Sequence, residues 1–370
     1  MPHAGVAVAD ELSVIRVLVV DDSALVRRLI VTALGGADDI EVVGLARDGL
    51  EAVAMVDEHV PDVVTLDIEM PNLDGLGALV QIREKHPRLP VIMFSTLTER
   101  GAIATLDALS KGASDYVTKP SNTGSVAEGL ESVREQLVPR IRALAGVRRL
   151  VPSPRPARPR VSTPTPSLGR RDRAEGPPEV LLIGCSTGGP DALDKLLSRL
   201  PGDLEVPTLV VQHMPPVFTT MLAQRLDKVS PLQVREAVDG DVPRAGEVLI
   251  APGDWHMRLA GRRGSVRVTL DQGPRENFCR PAVDVLFRSA AAVYGGRSVA
   301  TILTGMGTDG LVGVRELHRL GTRVVVQDEE TSVVWGMPGA VAQADLADEV
   351  VPLPDLAARL VSAVRARARS

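Results

Sequence analysis

The chain has 370 residues, 44% apolar and 24% charged, the balance of a globular protein too long for one ordinary core. A net charge of −5 disfavours nucleic acid as the main partner, and two cysteines, Cys185 and Cys279, exclude a disulfide framework or a cysteine-rich zinc site. The first residues, Met1 to Glu11, lack the basic-then-apolar order of a signal peptide, and no apolar run nears the roughly 18 residues that span a bilayer. A soluble, cytoplasmic protein with no membrane insertion is expected.

Residues 1–14 read as a flexible leader. Arg16 to Val20 is then a β-branched strand ending at Asp21-Asp22, followed by a helical pattern from Ala24 to Leu34. The rhythm repeats: strand Ile40–Val43, helix Gly49–His59, strand Asp62–Leu66 ending at Asp67, strand Pro90–Phe94, strand Asp115–Thr118 before Lys119-Pro120. Five short strands alternating with helices predict a parallel α/β sheet, whose ligand site lies beyond the carboxyl ends of the strands. Asp21, Asp22, Asp67, Ser95 and Lys119 all fall there. An aspartate after a strand is usually a cap or turn residue. Three carboxylates at one sheet edge would repel, however, and oxygen ligands of this kind suit Mg²⁺.

Residues 16 to about 135 resemble the receiver domain of two-component response regulators. The resemblance is carried by Asp21-Asp22, Leu66-Asp67-Ile-Glu-Met-Pro71, Asp74-Gly75, Ser95 and Tyr116-Val-Thr-Lys119-Pro120. It implies a flavodoxin-like fold with Asp67 as phosphoacceptor. It implies Mg²⁺ held by Asp22, Asp67 and the Glu69 backbone carbonyl, with Asp21 acting through water. Ser95 and Lys119 would receive the phosphoryl group, and Tyr116 would change its packing with the switch. The partner implied is a CheA-like histidine kinase.

The receiver is expected over 15–136 and a helix end with a tether over 137–178. From Arg148 to Pro178 there are eight prolines and eight arginines in 31 residues, with no aromatic, which favours a semi-extended linker over a nucleic-acid or membrane arm. A second α/β domain is expected over 179–366. Val180 to Ile183 reads as a buried strand running into Gly184-Cys-Ser186-Thr-Gly188, and Pro190 opens a helix with Leu193, Leu196, Leu197 and Leu200 on one face. The pentapeptide has the form of a nucleophile elbow, but equally of a phosphate loop or a plain turn. Further strands are Pro207–Gln212, Gly246–Ala251, Ser298–Leu303 and Thr322–Gln327, with a β-hairpin formed by Met257–Leu259 and Val266–Leu270.

A serine nucleophile needs a base and a carboxylate to orient it. Of six histidines only His213 and His256 follow strands in this domain, and His213 is the better base because His256 lies beyond a Gly-Asp turn. Asp309, in a glycine-rich loop after a buried strand, is the carboxylate, with Asp254 its rival. The same glycines would free backbone N–H groups for an oxyanion hole near Met306. Cys185 is read as a small buried hydrophobe rather than a nucleophile. The order Ser–His–Asp differs from that of α/β-hydrolases.

The second domain closely resembles the CheB methylesterase domain of bacterial chemotaxis. The motifs are Ile183-Gly-Cys-Ser-Thr-Gly-Gly-Pro190, Val211-Gln-His-Met-Pro-Pro216, Ala251-Pro-Gly253, Arg280-Pro-Ala-Val-Asp-Val-Leu-Phe287, Leu303-Thr-Gly-Met-Gly-Thr-Asp-Gly310 and Gly336-Met-Pro-Gly339. Cys185 and Cys279 depart from the alanine and histidine common there. The resemblance implies the triad Ser186, His213 and Asp309, with no cofactor for the esterase. It also implies demethylation of glutamate methyl esters, and deamidation of glutamines, on methyl-accepting chemoreceptors. The unphosphorylated receiver would cover the Ser186 cleft. The competing readings are a phosphorylation-controlled binding module without catalysis and a DNA-acting regulator, for which no helix-turn-helix pattern is present.

Overall fold

The computed structural model of the chain describes residues 14–120, 125–150 and 174–366. Residues 1–13 of the expected leader (1–14) and 151–173 of the tether fall outside them. Two compact units form, each containing one parallel sheet.

The first sheet is built from β1 (Ile15–Val20), β2 (Ile40–Ala46), β3 (Val63–Asp67), β4 (Val91–Ser95) and β5 (Asp115–Thr118). Between them run α1 (Ala24–Leu34), α2 (Gly49–His59), α3 (Gly75–Lys85) and α4 (Glu99–Ser110), and α5 (Val126–Leu150) follows. The strand order β2-β1-β3-β4-β5 is the flavodoxin-like arrangement that the sequence predicts. Helices α1 to α4 all start on a polar cap just past a strand or loop, Thr98 of α4 accepting the Gly101 N–H at 3.0 Å. Ser23 accepts the Val26 N–H at 3.4 Å, Asp48 the Glu51 N–H at 2.9 Å and Asp74 the Gly77 N–H at 2.7 Å. One boundary moves. Helix α5 continues through Arg148, Arg149 and Leu150, which the sequence reading had placed in the tether. Arginine and leucine are good helix formers, and the first proline after them comes only at Pro152.

The second unit begins with β6 (Val180–Cys185), α6 (Gly189–Leu197), β7 (Thr208–Gln212), α7 (Phe218–Val229), β8 (Gln233–Glu236) and β9 (Glu247–Ile250). The hairpin β10 (His256–Arg262) and β11 (Ser265–Asp271) follows, then α8 (Val283–Tyr294) and β12 (Ser298–Ile302). The chain closes with α9 (Leu311–Arg319), β13 (Arg323–Gln327), α10 (Met337–Gln343), β14 (Glu349–Val351) and α11 (Leu353–Arg365).

Seven strands pair in parallel in the order β14-β13-β12-β6-β7-β9-β8. The two edge strands, β8 and β14, are the ones the sequence reading omitted. Gln233-Val-Arg-Glu236 and Glu349-Val-Val351 are short and polar enough to hide from an apolar-run search. Central β6 is buried along its whole length, and the predicted stripe of α6 (Leu193, Leu196, Leu197) with the following Leu200 is buried too. Each such leucine contributes about 1.5–3 kcal/mol of apolar burial, which ties the turn between β6 and α6 to the core. The strand order leaves β6 for β7 on one side and meets β12 on the other. That makes its carboxyl end a topological switch point.

Candidate functional site

Ser186 is the first residue past β6, in the sharp turn into α6. Gly188 caps that helix with φ of 75°, a left-handed conformation that glycine adopts without strain. The loop after β12 packs directly on the serine: a Cβ on Gly305 would stand 2.9 Å from Ser186 Cβ. Ser186 N–H donates to Thr304 O at 3.0 Å, so the strand-like pairing continues one residue beyond β6. On the other side, the buried Gln212 amide donates to Ser186 O (3.0 Å) and His213 O (3.2 Å), and His213 N–H donates to Cys185 O (3.2 Å). The ends of β6 and β7 are thus stapled together.

His213 follows β7, and its Nε2 lies 2.7 Å from Asp309 Oδ2. The other ring nitrogen is Nδ1. Asp309 is 2% exposed, and its carboxylate is saturated with donors. Oδ2 accepts the Val283 N–H at 2.6 Å, and Oδ1 accepts the N–H groups of Asp284 (3.1 Å) and Gly310 (3.0 Å) and the Asn277 amide (3.0 Å). Two of these amides open α8, whose N-terminal dipole also favours a negative charge. Burial by itself raises the Asp309 pKa, but the His213 ring and these N–H groups outweigh it and hold the carboxyl below its ordinary range. For His213, burial lowers the pKa. The Cys279 sulfur, in hydrogen-bond contact with the ring, and the Asp309 carboxylate more than reverse that, raising it to about 10. No hydrogen bond joins Ser186 Oγ to His213 among the described residues. Such contacts commonly form only with substrate in place.

The rivals are accounted for elsewhere. His256 is fully buried and closes its loop through Nε2 to Pro274 O at 2.9 Å. Asp254 pairs with Arg280, whose Nη2 stands 2.6 Å away. Cys185 is fully buried, donates weakly to Val211 O at 3.7 Å, and has its thiol pKa pushed up by burial, so it is no nucleophile. Because Ser186 N–H is occupied, an oxyanion must find other amides. The Met306 N–H, one residue past Gly305, has no partner among the described residues.

Three residues of the site escaped the sequence reading as site residues: Gln212, Asn277 and Cys279. Asn277 bridges two acids, donating to Asp309 Oδ1 and to Asp284 Oδ2 (3.2 Å). The burial of Asp284 and the charge of Asp309 push Asp284 up to about 6, against the Gly313 N–H and Asn277 amide that favour its charged form. Asn277 and Cys279 sit in a loop between the hairpin and α8, where no periodicity marks them. The one available signal was the cysteine standing at a position where the resembled family has histidine.

The first unit carries a second site at the carboxyl edge of β1 and β3. Oxygens of Asp21, Asp22 and Asp67 all lie within 4.8 Å of one another. Lys119 Nζ stands 2.9 Å from Asp21 Oδ2 and 2.8 Å from Asp67 Oδ1. Asp67 Oδ1 also accepts the Ile68 N–H at 2.8 Å, leaving Oδ2 without a partner among the described residues. Burial and the charge of Asp21 push Asp67 up to about 6, although Lys119 pulls the other way. Ser95 and Tyr116 are both buried, at the end of β4 and in β5, and Ser95 O accepts the Lys119 N–H at 2.6 Å. Glu69 is exposed in the loop after β3. One lysine cannot neutralise three acids, so the donor set fits a hard divalent cation with oxygen ligands.

A serine in a strand-to-helix turn, an imidazole–carboxylate pair on the flanking strands and a separate acidic edge suit an esterase joined to a receiver domain. The comparisons with known proteins agree. Residues 181–360 match the CheB methylesterase family and residues 17–131 the response regulator receiver domain. A protein-glutamate methylesterase/protein-glutamine glutaminase of Nocardioides is 51% identical over 345 residues, covering 92% of this chain and 93% of its own. The protein of that name from Trichodesmium erythraeum is 48% identical, covering 94% of this chain and 98% of its own. The crystal structure of the Thermotoga maritima CheB methylesterase catalytic domain is 44% identical, covers 50% of this chain and 98% of its own, and has a TM-score of 0.49. The chain belongs to the CheB methylesterase family and carries an N-terminal receiver domain. Among the described residues no helix is long and apolar enough to cross a membrane.

Proposed function

We propose that the chain hydrolyses glutamate γ-methyl esters, and deamidates glutamines, on methyl-accepting chemoreceptors, with Ser186, His213 and Asp309 as the triad. The observation that carries this reading is the pairing of His213 with the buried Asp309, at 2.7 Å, beside a serine at the switch point of the sheet. His213 Nδ1 takes the Ser186 proton as Oγ attacks the ester carbonyl carbon. The oxyanion accepts the Met306 N–H and a second amide at the elbow. His213 returns the proton to the departing methoxide, releasing methanol and leaving an acyl-serine. A water, deprotonated by the same ring, attacks that acyl group and frees the glutamate. With glutamine the leaving group is ammonia. Asp309, fixed by five donors, holds the ring orientation and compensates the imidazolium.

Asp67 is the phosphoacceptor, its Oδ2 attacking the phosphorus of a phosphohistidine on a CheA-like kinase. Asp22, Asp67 and the Glu69 carbonyl would hold Mg²⁺, with Asp21 acting through water, and the ion would supply neutralising charge for the phosphoryl group. Ser95 and Lys119 bind the transferred group, and Tyr116 responds by repacking. Phosphorylation raises the esterase rate. The domain limits follow as 15–136 for the receiver, 137–178 for helix end and linker, and 179–366 for the esterase, all in the cytoplasm.

The test is methanol release from methylated receptor membranes, with and without a small phosphodonor. The intact chain should release methanol faster with the donor. Ser186→Ala should lose about three to six orders of magnitude. Near-normal release by Ser186→Ala would end the assignment.

A further inference from the structure

The turn between β11 and α8 holds a residue that folding alone does not explain. The chain has four phenylalanines; Phe94, Phe218 and Phe287 are among its largest fully buried side chains, whereas Phe278 is 95% exposed. Its backbone is also in the left-handed region, with φ of 64°, and so is that of Asn277, at 50°. Glu276 and Cys279 close the turn with paired backbone hydrogen bonds of 3.1 and 2.8 Å. A two-residue turn with both central φ angles positive favours Asn-Gly. Asparagine stands at the first place. At the second, where glycine would be unstrained, the chain has a bulky aromatic held out in water.

The turn is anchored on both sides of this phenylalanine by the proposed catalytic groups. Asn277 donates to Asp309 and Asp284, Cys279 rests on the His213 ring, and Arg288 grips Glu276 through both carboxylate oxygens at 2.7 and 2.8 Å. A residue so mounted is presented at a fixed place beside the reacting histidine. A small ester approaching that ring has no need of an aromatic there. A protein surface carrying the ester does, because apolar side chains flanking the modified glutamate give the ring something to bury against.

We infer that Phe278 is a substrate-recognition residue that inserts among apolar side chains next to the target glutamate, favouring protein-borne esters over free ones. The inference rests on the proposed reading of the site and names the surface chemistry its substrate must have.

The experiment uses the full chain and compares steady-state methanol release from methylated receptor membranes with hydrolysis of p-nitrophenyl acetate. Phe278→Ala and Phe278→Gly should each raise KM for receptor about five- to tenfold with little change in kcat. The ratio of kcat/KM on receptor to that on p-nitrophenyl acetate should fall by the same factor, and Phe278→Leu should recover part of it. Phe278→Gly should melt no lower than the parent, since glycine relieves the left-handed φ, so its weaker binding cannot come from a damaged fold. An unchanged receptor KM in both variants, with the parent chain active, overturns this inference alone. Equal losses on both esters do the same. A parent chain that releases no methanol from receptor overturns the underlying reading as well.

Discussion

Asp67 and Asp309 are two buried aspartates at the carboxyl edge of parallel strands, and their environments drive them in opposite directions. Burial raises the pKa of each. Asp67 receives one backbone N–H and a lysine it shares with Asp21, whose negative charge adds to the burial, and it rises to about 6. Asp309 receives three backbone N–H groups, a side-chain amide and an imidazole, and it falls below its ordinary range. The count of donors decides the chemistry. In the proposed mechanism the free Oδ2 of Asp67 attacks and its surplus charge suits a cation. Asp309, with no free oxygen, is there a fixed negative charge.

Substitution of each by asparagine tests this contrast most severely. Asp309→Asn should lower receptor kcat by roughly 10³- to 10⁴-fold, because the amide can present an N–H to His213 and favour the wrong tautomer. A loss under tenfold would mean that the carboxylate does not orient the ring. Asp67→Asn should abolish stimulation by phosphodonor while the unstimulated rate stays within about twofold.

Asp67→Asn also has a stability consequence of known sign. The folded chain holds the Asp67 proton more tightly than the unfolded chain, so stability falls as pH rises from the ordinary 3.8 through about 6. In metal-free buffer the asparagine variant should therefore be more stable to unfolding than the parent at pH 7.5, by up to about 3 kcal/mol, and the gain should vanish below about pH 4. Equal melting at both pH values would show that Asp67 is not under electrostatic strain.

The smallest effect concerns Cys279. Its contact helps hold His213 protonated, and only the neutral ring accepts the serine proton. Cys279→Ala should shift the acidic limb of the kcat/KM profile toward lower pH and raise kcat/KM at pH 7 several-fold. An unmoved limb would leave Asp309 as the only group that sets the histidine.

Much of this was legible in the sequence because each principal residue ends an apolar run. Val180 to Ile183 points to Ser186, Pro207–Gln212 to His213, and Ser298–Leu303 to Asp309. The strand order then needed only that these runs be neighbours, and β12, β6 and β7 are adjacent. The supporting groups were not legible for the same reason. Asn277 and Cys279 reach partners far along the chain from a turn that has no period, and Gln212 reads simply as the last residue of its strand. Nor does the pentapeptide reveal that Ser186 N–H is spent on Thr304 O. That pairing exists only once β12 has docked.

The docking of β12 bears also on when the protein becomes an enzyme. Synthesis delivers β6 and β7 early, with the serine and histidine stapled by Gln212, but the strand that brings Asp309 and the Met306 amide is made much later. On the proposed triad, a ribosome-bound chain stopped short of β12 carries Ser186 and His213 without Asp309 or the Met306 amide. Activity is then expected only once β12 has added beside β6. In refolding, recovery of esterase activity times this long-range strand pairing.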